Sequence, residues 1–277
     1  MSRQDSVLSR IENGIQIITL NRPEVMNAID SEVTGRLDEI LQVAALDPDA
    51  RVVVITGAGR GFCAGGNMKN LGTPDESDPL AAKWGRDPIW NGMEMRSARL
   101  RRSAQIPYLL HTMGKPTIAM IHGPVVGAGL SLALACDFRI ASTDATFNSG
   151  YLNRGLSGDF GANYFVTSVL GPAKAREFLF FPRAMAADEA LRVGLVTQVA
   201  AGGKLEEQTM AMARKLAEGP PIALAHLKEN INSAANDIPQ VAFDIEARNF
   251  VRCLQTEDCK EAVAAFLERR RAVFTGR

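Results

Sequence analysis

The sequence contains little cysteine and little histidine. Only four of the 277 residues are cysteine and three are histidine. No two cysteines have the CxxC spacing, and no cluster of histidine and cysteine has the spacing of a zinc site. We therefore predict reduced thiols and no metal centre.

The sequence also has no excess of either charge and no long hydrophobic run. Lysine plus arginine and aspartate plus glutamate both total 31, which gives no indication of nucleic acid or of an acidic membrane as a partner. No apolar run approaches the ~20 residues that span a bilayer. The first ten residues are polar and lack the apolar region of a signal peptide. These absences predict a soluble cytoplasmic protein.

The hydrophobic residues that are present lie in short runs separated by helical patterns. Four runs are typical of strands buried on both faces or of short β-branched strands: 15–20, 51–56, 117–121 and 138–141. Between the first two, an acidic start at Asp30 opens a helical pattern that Pro48 ends. This order of elements predicts an α/β fold.

The chain from Ala186 onward is predicted to be helical. Apolar residues recur at three-and-four spacing in four segments: 204–217, 221–235, 239–254 and 257–271. A helical region after an α/β core either covers that core or makes subunit contacts.

Two glycine-rich turns carry the functional signal. They have the sequences GFCAGGN at 61–67 and HGPVVGAG at 122–129, and each follows a predicted strand and leads toward a predicted helix. Such turns present unpaired backbone N–H groups, which hold anions. Two of them favour a pair of donors around one oxygen, as in enzymes that stabilise enolates.

A dinucleotide site is an alternative for the first turn, since GAGRG at 57–61 follows a strand. The dinucleotide fingerprint requires a third glycine three positions after the second, and an acid about twenty residues further on at a strand end. Here the third glycine comes two positions after the second, and Asp75 and Glu76 lie in a predicted loop. The spacing argues against a nucleotide site.

The segment 72–107 has a different composition. Its first half has the composition of a loop and its second half that of a helix, with tryptophan and methionine in between. Long loops in compact enzymes are usually functional or disordered. The large apolar residues either line an apolar pocket or pack the loop against the core.

An ordered set of motifs resembles the crotonase (enoyl-CoA hydratase/isomerase) superfamily. The motifs are LNRP at 20–23, MNA at 26–28, GFCAGGNMK at 61–69, KPTIA at 115–119, HG at 122–123, GAG at 127–129, LALACD at 132–137 and AFLERR at 265–270, with Phe274 beyond. They cover nearly the whole chain.

The resemblance implies an α/β fold, a crotonase-like spiral of ββα units followed by helices that mediate trimers, often stacked as hexamers. Residues 1–200 would form the spiral core with the CoA site and oxyanion hole. Residues 201–277 would form the helical region for oligomerisation and site closure. The expected partners are an acyl-CoA substrate and identical subunits in a homotrimer or a dimer of trimers. No separate cofactor is expected, since coenzyme A is part of the thioester.

The resemblance also assigns residues to the ligand. The N–H groups of Ala64 and Ala128 would form the oxyanion hole around the thioester carbonyl, although many members have glycine where Ala128 stands. Ala28, Cys63 and Met68 would lie along the CoA moiety.

At the other end of the chain, Phe266 and Arg269 match positions that reach the CoA of a neighbouring subunit. The Arg269 guanidinium would form a favourable charge-assisted hydrogen bond with a phosphate of that CoA. An exposed arginine on an amphipathic helix is the alternative.

The acid/base positions differ from those of the hydratases in the family. Hydratases have one glutamate at the position of Ser131 and a second at the position of Tyr151. Water addition needs a group that activates water and a group that supplies a proton. Serine and tyrosine are poor replacements at neutral pH.

One carboxylate remains, that of Asp159. The matching position holds glutamate in peroxisomal-type Δ3,Δ2-enoyl-CoA isomerases, and aspartate in the ring-opening isomerase of phenylacetate catabolism and in 4-chlorobenzoyl-CoA dehalogenase. A single base suits an isomerase, because one group removes and returns the proton. The alternative role for Asp159 is an N-cap on the helix that begins near Gly161.

The resulting hypothesis is an enoyl-CoA isomerase with Asp159 as its proton carrier. A hydratase, or a dehalogenase-like enzyme with Asp159 as nucleophile, is the alternative within the family. A catalytically silent CoA-binding or assembly protein is the alternative outside catalysis.

Overall fold

The computed structural model describes residues 5–67 and 78–277, which form a six-stranded sheet, a three-stranded sheet and the helices around them. The larger sheet has the order β1–β2–β3–β4–β6–β9, in which only the β1–β2 pair is antiparallel. The smaller sheet has the order β5–β7–β8.

The strands are β1 Val7–Glu12, β2 Ile15–Leu20, β3 Val52–Gly57, β4 Thr117–Ile121, β5 Pro124–Val126, β6 Phe138–Ser142, β7 Thr146–Asn148, β8 Met185–Ala186 and β9 Gln198–Ala200. The helices are α1 Ser31–Leu46, α2 Pro79–Trp84, α3 Met93–Ser103, α4 Gln105–Thr112, α5 Ala128–Leu134, α6 Ala162–Phe180, α7 Ala187–Arg192, α8 Leu205–Ala217, α9 Pro221–Asn236, α10 Pro239–Leu254 and α11 Glu257–Glu268.

Both faces of the large sheet are buried, which explains the continuous apolar runs of its central strands. Alternate residues of β3 belong to two separate cores: Val53 and Ile55 pack with α1 and α4, whereas Val52 and Val54 pack with α8. The period of two along a strand sends successive side chains to opposite faces. The predicted α/β core is thus confirmed in its central strands.

The helix predicted after Asp30 is also confirmed. The Asp30 carboxylate accepts the Val33 N–H at 3.1 Å and caps α1, which buries Leu37 and Leu41. The predicted helices beyond residue 204 correspond to α8 through α11, although α11 ends at Glu268 rather than at residue 271.

The prediction of an all-helical chain after Ala186 is wrong at one element. Residues 198–200 form β9, which pairs parallel with β6 at the edge of the large sheet. A three-residue strand contains too few positions to show a period of two. The small sheet was not predicted for the same reason.

The segment 72–107 is described only from residue 78, where it forms α2 and α3. Trp84 and Met93 are exposed, so these two side chains do not pack against the core. Within the described ranges, no helix has the length and apolar character needed to cross a membrane.

Candidate active site

The two glycine-rich turns lie side by side because their backbones are hydrogen-bonded. The Cys63 N–H donates to the Pro124 carbonyl at 3.3 Å, and the Val126 N–H donates to the Cys63 carbonyl at 3.0 Å. Strand β5, which ends at Val126, leads directly into α5. The first turn is therefore fixed against the start of α5.

The contact between the turns is too close for any side chain at position 129. A Cβ built on Gly129 would lie 2.6–2.7 Å from the Cβ, carbonyl oxygen and Sγ of Cys63. The preceding Gly127 has φ 54° and ψ −121°, a conformation that residues with a Cβ rarely adopt. Gly129 thus allows the two turns to come into contact, and Gly127 allows the backbone conformation that leads into α5.

The Ala128 amide is one of two backbone donors at this junction. The Gly127 carbonyl accepts the Ser131 N–H at 3.1 Å, and a trans peptide points its N–H opposite its C=O. The Ala128 N–H therefore points out of the start of α5, and it has no acceptor in the described parts of the chain. This amide is available to a ligand.

The Ala64 amide is already engaged. Its N–H donates to the Met26 carbonyl oxygen at 2.9 Å. This hydrogen bond argues against Ala64 as an oxyanion donor, contrary to the expectation from the motif.

Gly66 supplies the second available amide. The Gly65 carbonyl accepts the Ile29 N–H at 2.8 Å, so the N–H of the same peptide, that of Gly66, points away from Ile29. No residue of the described ranges accepts it. A Cβ built on the neighbouring Gly65 would lie 3.5 Å from the Ala128 nitrogen, which places this peptide beside α5.

The sequence did not identify Gly66, because residue types do not reveal which amide of a glycine-rich turn donates a hydrogen bond to a neighbouring segment. The relevant neighbour is the stretch around Met26 and Ile29, far away in the chain. Its pairing with the turn is a tertiary contact.

Asp159 lies beside Ser131 and Tyr151, the two positions at which the resemblance predicts the glutamates of a hydratase. The Tyr151 hydroxyl donates to Asp159 Oδ1 at 2.6 Å. The Ser131 hydroxyl lies 3.5 Å from the Tyr151 hydroxyl and donates to the Asp159 carbonyl oxygen at 3.4 Å. The three residues, separated by up to 28 positions in the chain, thus form one cluster next to α5.

The tyrosine in this cluster is a neutral donor. Its side chain is 9% exposed, and burial together with the adjacent Asp159 carboxylate raises the pKa of Tyr151. A tyrosine that keeps its proton can donate to a carboxylate but cannot act as a base.

Asp159 is not an N-cap of α6. The N-cap residue is Gly161, which makes no side-chain capping bond, and the Ala162 N–H donates to the backbone carbonyl of Asp159 rather than to its carboxylate. The next residue, Phe160, is buried with φ 51°, which costs a residue with a Cβ about 1 kcal/mol. This backbone reversal buries the Phe160 ring and leaves the Asp159 side chain half-buried.

The residues expected along CoA differ in their accessibility. Cys63 is 0% exposed and its thiol lies 3.1 Å from the Asn27 carbonyl, so its side chain cannot touch a ligand. Burial raises the pKa of this thiol to about 12. Ala28 is also buried. Met68 lies outside the described residues.

At the C-terminal end, Phe266 and Arg269 lie at the end of α11. Phe266 is 82% exposed, and Arg269 is exposed and ends the helix with φ 54°. Within the described residues, neither side chain contacts the Asp159 cluster.

Other charged candidates have structural partners. The Asp137 carboxylate accepts hydrogen bonds from the Thr117 N–H at 2.8 Å and from the buried Lys228 ammonium at 2.9 Å, which gives it a structural role. Within the described ranges, no three histidine, cysteine, aspartate or glutamate side chains are grouped as metal ligands.

Comparisons with known proteins agree with this geometry. The family model described as enoyl-CoA hydratase/isomerase matches residues 10–277. The chain is 32% identical to 1,2-epoxyphenylacetyl-CoA isomerase of Escherichia coli (strain K12), over 98% of both chains. It is 35% identical to (E)-benzylidenesuccinyl-CoA hydratase of Thauera aromatica, over 98% of this chain and 99% of that one.

The fold is likewise that of solved members. An enoyl-CoA hydratase from Polaromonas sp. JS666 superposes with a TM-score of 0.85 at 34% sequence identity, over 97% of this chain and 99% of that chain. The mixed α/β architecture described above is therefore the crotonase fold. From its sequence and its structure alike, the chain belongs to the enoyl-CoA hydratase/isomerase family.

Proposed function

We propose that this protein is an enoyl-CoA isomerase that moves a double bond by proton transfer through a thioester enolate. The observation that carries the proposal is the cluster of Asp159, Tyr151 and Ser131. Both positions of the hydratase glutamates are filled by residues that hydrogen-bond with Asp159 or its backbone, so the cluster contains one carboxylate.

In the proposed reaction, the Asp159 carboxylate removes a proton from the carbon next to the thioester of a 3-enoyl-CoA. The electron pair of that C–H bond delocalises into an enolate, whose oxygen accepts hydrogen bonds from the Gly66 and Ala128 amides. The enolate then collapses to a 2-enoyl-CoA as the carboxylic acid returns the proton to the γ-carbon. Preorganised donors of this kind stabilise the charge as it develops.

The assignment of Gly66 in place of Ala64 rests on their hydrogen bonds. The Ala64 N–H already has the Met26 carbonyl as its acceptor, while Gly66 and Ala128 have none within the described residues. The alanine at position 128 retains its N–H, so the methyl group does not remove the donor.

A hydratase is the second candidate, because relatives of this chain include proteins named as hydratases. Hydration needs one group to activate water and one to supply the proton. With Ser131 and Tyr151 at the two acid positions, Asp159 would have to perform both roles. A single carboxylate is better matched to isomerisation, in which the same proton leaves and returns.

We further propose that the protein works as a homotrimer or a dimer of trimers. Support comes from the exposed aromatic ring of Phe266 and from the exposed Arg269, whose guanidinium has no partner within the described ranges. In this arrangement Arg269 would face a phosphate of CoA bound by an adjacent subunit.

The test of the catalytic assignment is Asp159→Asn, which preserves size and removes the base. We expect the turnover of a 3-enoyl-CoA to its 2-enoyl isomer to slow by about 10²–10⁴-fold, with thioester binding retained. The matched control is Asp144→Asn, at an exposed turn between β6 and β7, which should behave as the parent.

Three results would contradict the proposal. Parent-like isomerisation by Asp159→Asn would remove Asp159 from the chemistry. Faster hydration of 2-enoyl-CoA than isomerisation by the parent would favour the hydratase. Tight CoA binding without turnover of any acyl-CoA would indicate a silent binding protein.

A further inference from the structure

The Tyr151 hydroxyl makes the shortest hydrogen bond in the Asp159 cluster. It lies 2.6 Å from Asp159 Oδ1 and 3.4 Å from the Asp159 backbone oxygen. No donor of the described residues reaches Asp159 Oδ2. The two carboxylate oxygens are therefore in different environments.

The tyrosine is itself held in place from two sides. Its ring lies against the second glycine-rich turn, since a Cβ built on Gly127 would lie 3.8 Å from the ring atoms Cε1 and Cζ. Its backbone carbonyl accepts the N–H groups of Arg154 at 2.9 Å and Leu156 at 3.1 Å. A buried aromatic side chain fixed at both ring and backbone is a rigid anchor for the group that it contacts.

We propose that Tyr151 is a positioning residue that fixes the rotamer of Asp159, so that Oδ1 stays hydrogen-bonded and Oδ2 alone takes and returns the proton. This inference rests on the proposed isomerase function and deepens it. Tyr151 keeps its own proton throughout, and the proton that is moved passes from the α-carbon to Oδ2 and from Oδ2 to the γ-carbon.

Fixing one oxygen has a measurable consequence. A carboxylic acid held in one rotamer keeps the abstracted proton on Oδ2, so its return to the substrate competes better with exchange into water. A carboxylic acid that rotates freely presents either oxygen to solvent, and more of the abstracted proton is lost. The fraction of isotope transferred within the molecule therefore reports on the orientation of Asp159, which rate constants alone do not.

The experiment compares Tyr151→Phe with the parent, using a 3-enoyl-CoA that carries deuterium on the α-carbon. The matched control is Tyr164→Phe, because the Tyr164 hydroxyl also donates a hydrogen bond, to Asn236 Oδ1 at 2.7 Å, but away from Asp159. The melting temperature of each variant establishes that it is folded. The readouts are kcat, KM and the share of product deuterium at the γ-carbon.

We expect the parent and Tyr164→Phe to transfer part of the deuterium to the γ-carbon. Tyr151→Phe should have a KM within about twofold of the parent and a kcat lowered about tenfold, as expected for loss of one hydrogen bond to a charged group. Its share of transferred deuterium should fall below that of the parent.

Parent-like kcat and deuterium transfer in Tyr151→Phe, together with an inactive Asp159→Asn, would overturn this inference and leave the isomerase assignment intact. Complete loss of deuterium to solvent in the parent would also overturn it, without any variant. Full activity of Asp159→Asn would instead overturn the proposed function.

Discussion

The Met26 carbonyl oxygen accepts the Ala64 N–H at 2.9 Å, and this one hydrogen bond determines which amide of the first glycine-rich turn can serve a ligand. Two amides that are two residues apart in an extended strand point to the same side, but Gly65, between Ala64 and Gly66, has φ 92° and breaks that alternation. The amide of Ala64 points to the Met26 segment, whereas the amide of Gly66 points away from Ile29 in the same region.

The oxyanion assignment predicts different effects of two substitutions at Gly66. Gly66→Pro removes the N–H, and a lost oxyanion donor lowers kcat by about 10²–10³-fold. Gly66→Ala keeps the N–H, and its Cβ would meet no atom within 4 Å, so it should retain activity near that of the parent. Steady-state isomerase kinetics of both variants check this. Equal rates for the two would show that the Gly66 amide is not a donor.

The close approach of the two turns predicts a stability effect at Gly129. In Gly129→Ala the new methyl group would overlap Cys63, and we expect a loss of about 2 kcal/mol in the free energy of unfolding, with reduced isomerase activity as the turns separate. Gly35→Ala is the control, because Gly35 lies within α1 with nothing near its Cβ position. It should raise stability by about 0.5–1 kcal/mol.

Urea denaturation of the two alanine variants measures these changes. If Gly129→Ala were as stable as the parent, the turns would not be in the contact described.

The buried thiols predict a selective pattern of alkylation. Burial raises the pKa of Cys63 and of Cys136 to about 12, so both thiols are protonated at pH 8, and neither is accessible. Iodoacetamide should leave both unmodified in the folded protein and modify both in urea. Peptide mass spectrometry of the two samples provides the readout, with Cys253 and Cys259, both partly exposed, as internal references.

The same shifts make stability dependent on pH. In the unfolded chain a thiol ionises near a pKa of about 8.5, while in the folded protein these two stay neutral. The unfolded state therefore binds fewer protons above that pH, and the free energy of unfolding should fall as pH rises from about 8.5 toward 12.

Rapid alkylation of Cys63 in the native protein would contradict the described packing.

Much of the architecture was predictable from local patterns. The strands around Val54 and Ile118 are continuous apolar runs because both faces of the sheet are covered, and α1 has its cap and its apolar face within one segment. The short strands β5, β7, β8 and β9 were not predictable, because two or three residues show no period and pair only when the rest of the fold brings them together.

The sequence by itself determined the family, the central α/β elements and the residue types at the acid positions, since these follow from local composition and from ordered motifs. Only the tertiary structure decided that the Ala64 N–H donates to the Met26 carbonyl, whereas the Gly66 N–H has no acceptor in the described residues. It also decided that the Tyr151 hydroxyl donates a hydrogen bond to the Asp159 carboxylate. The physical reason is that hydrogen-bond partners are set by how closely distant segments approach and in which direction each peptide points.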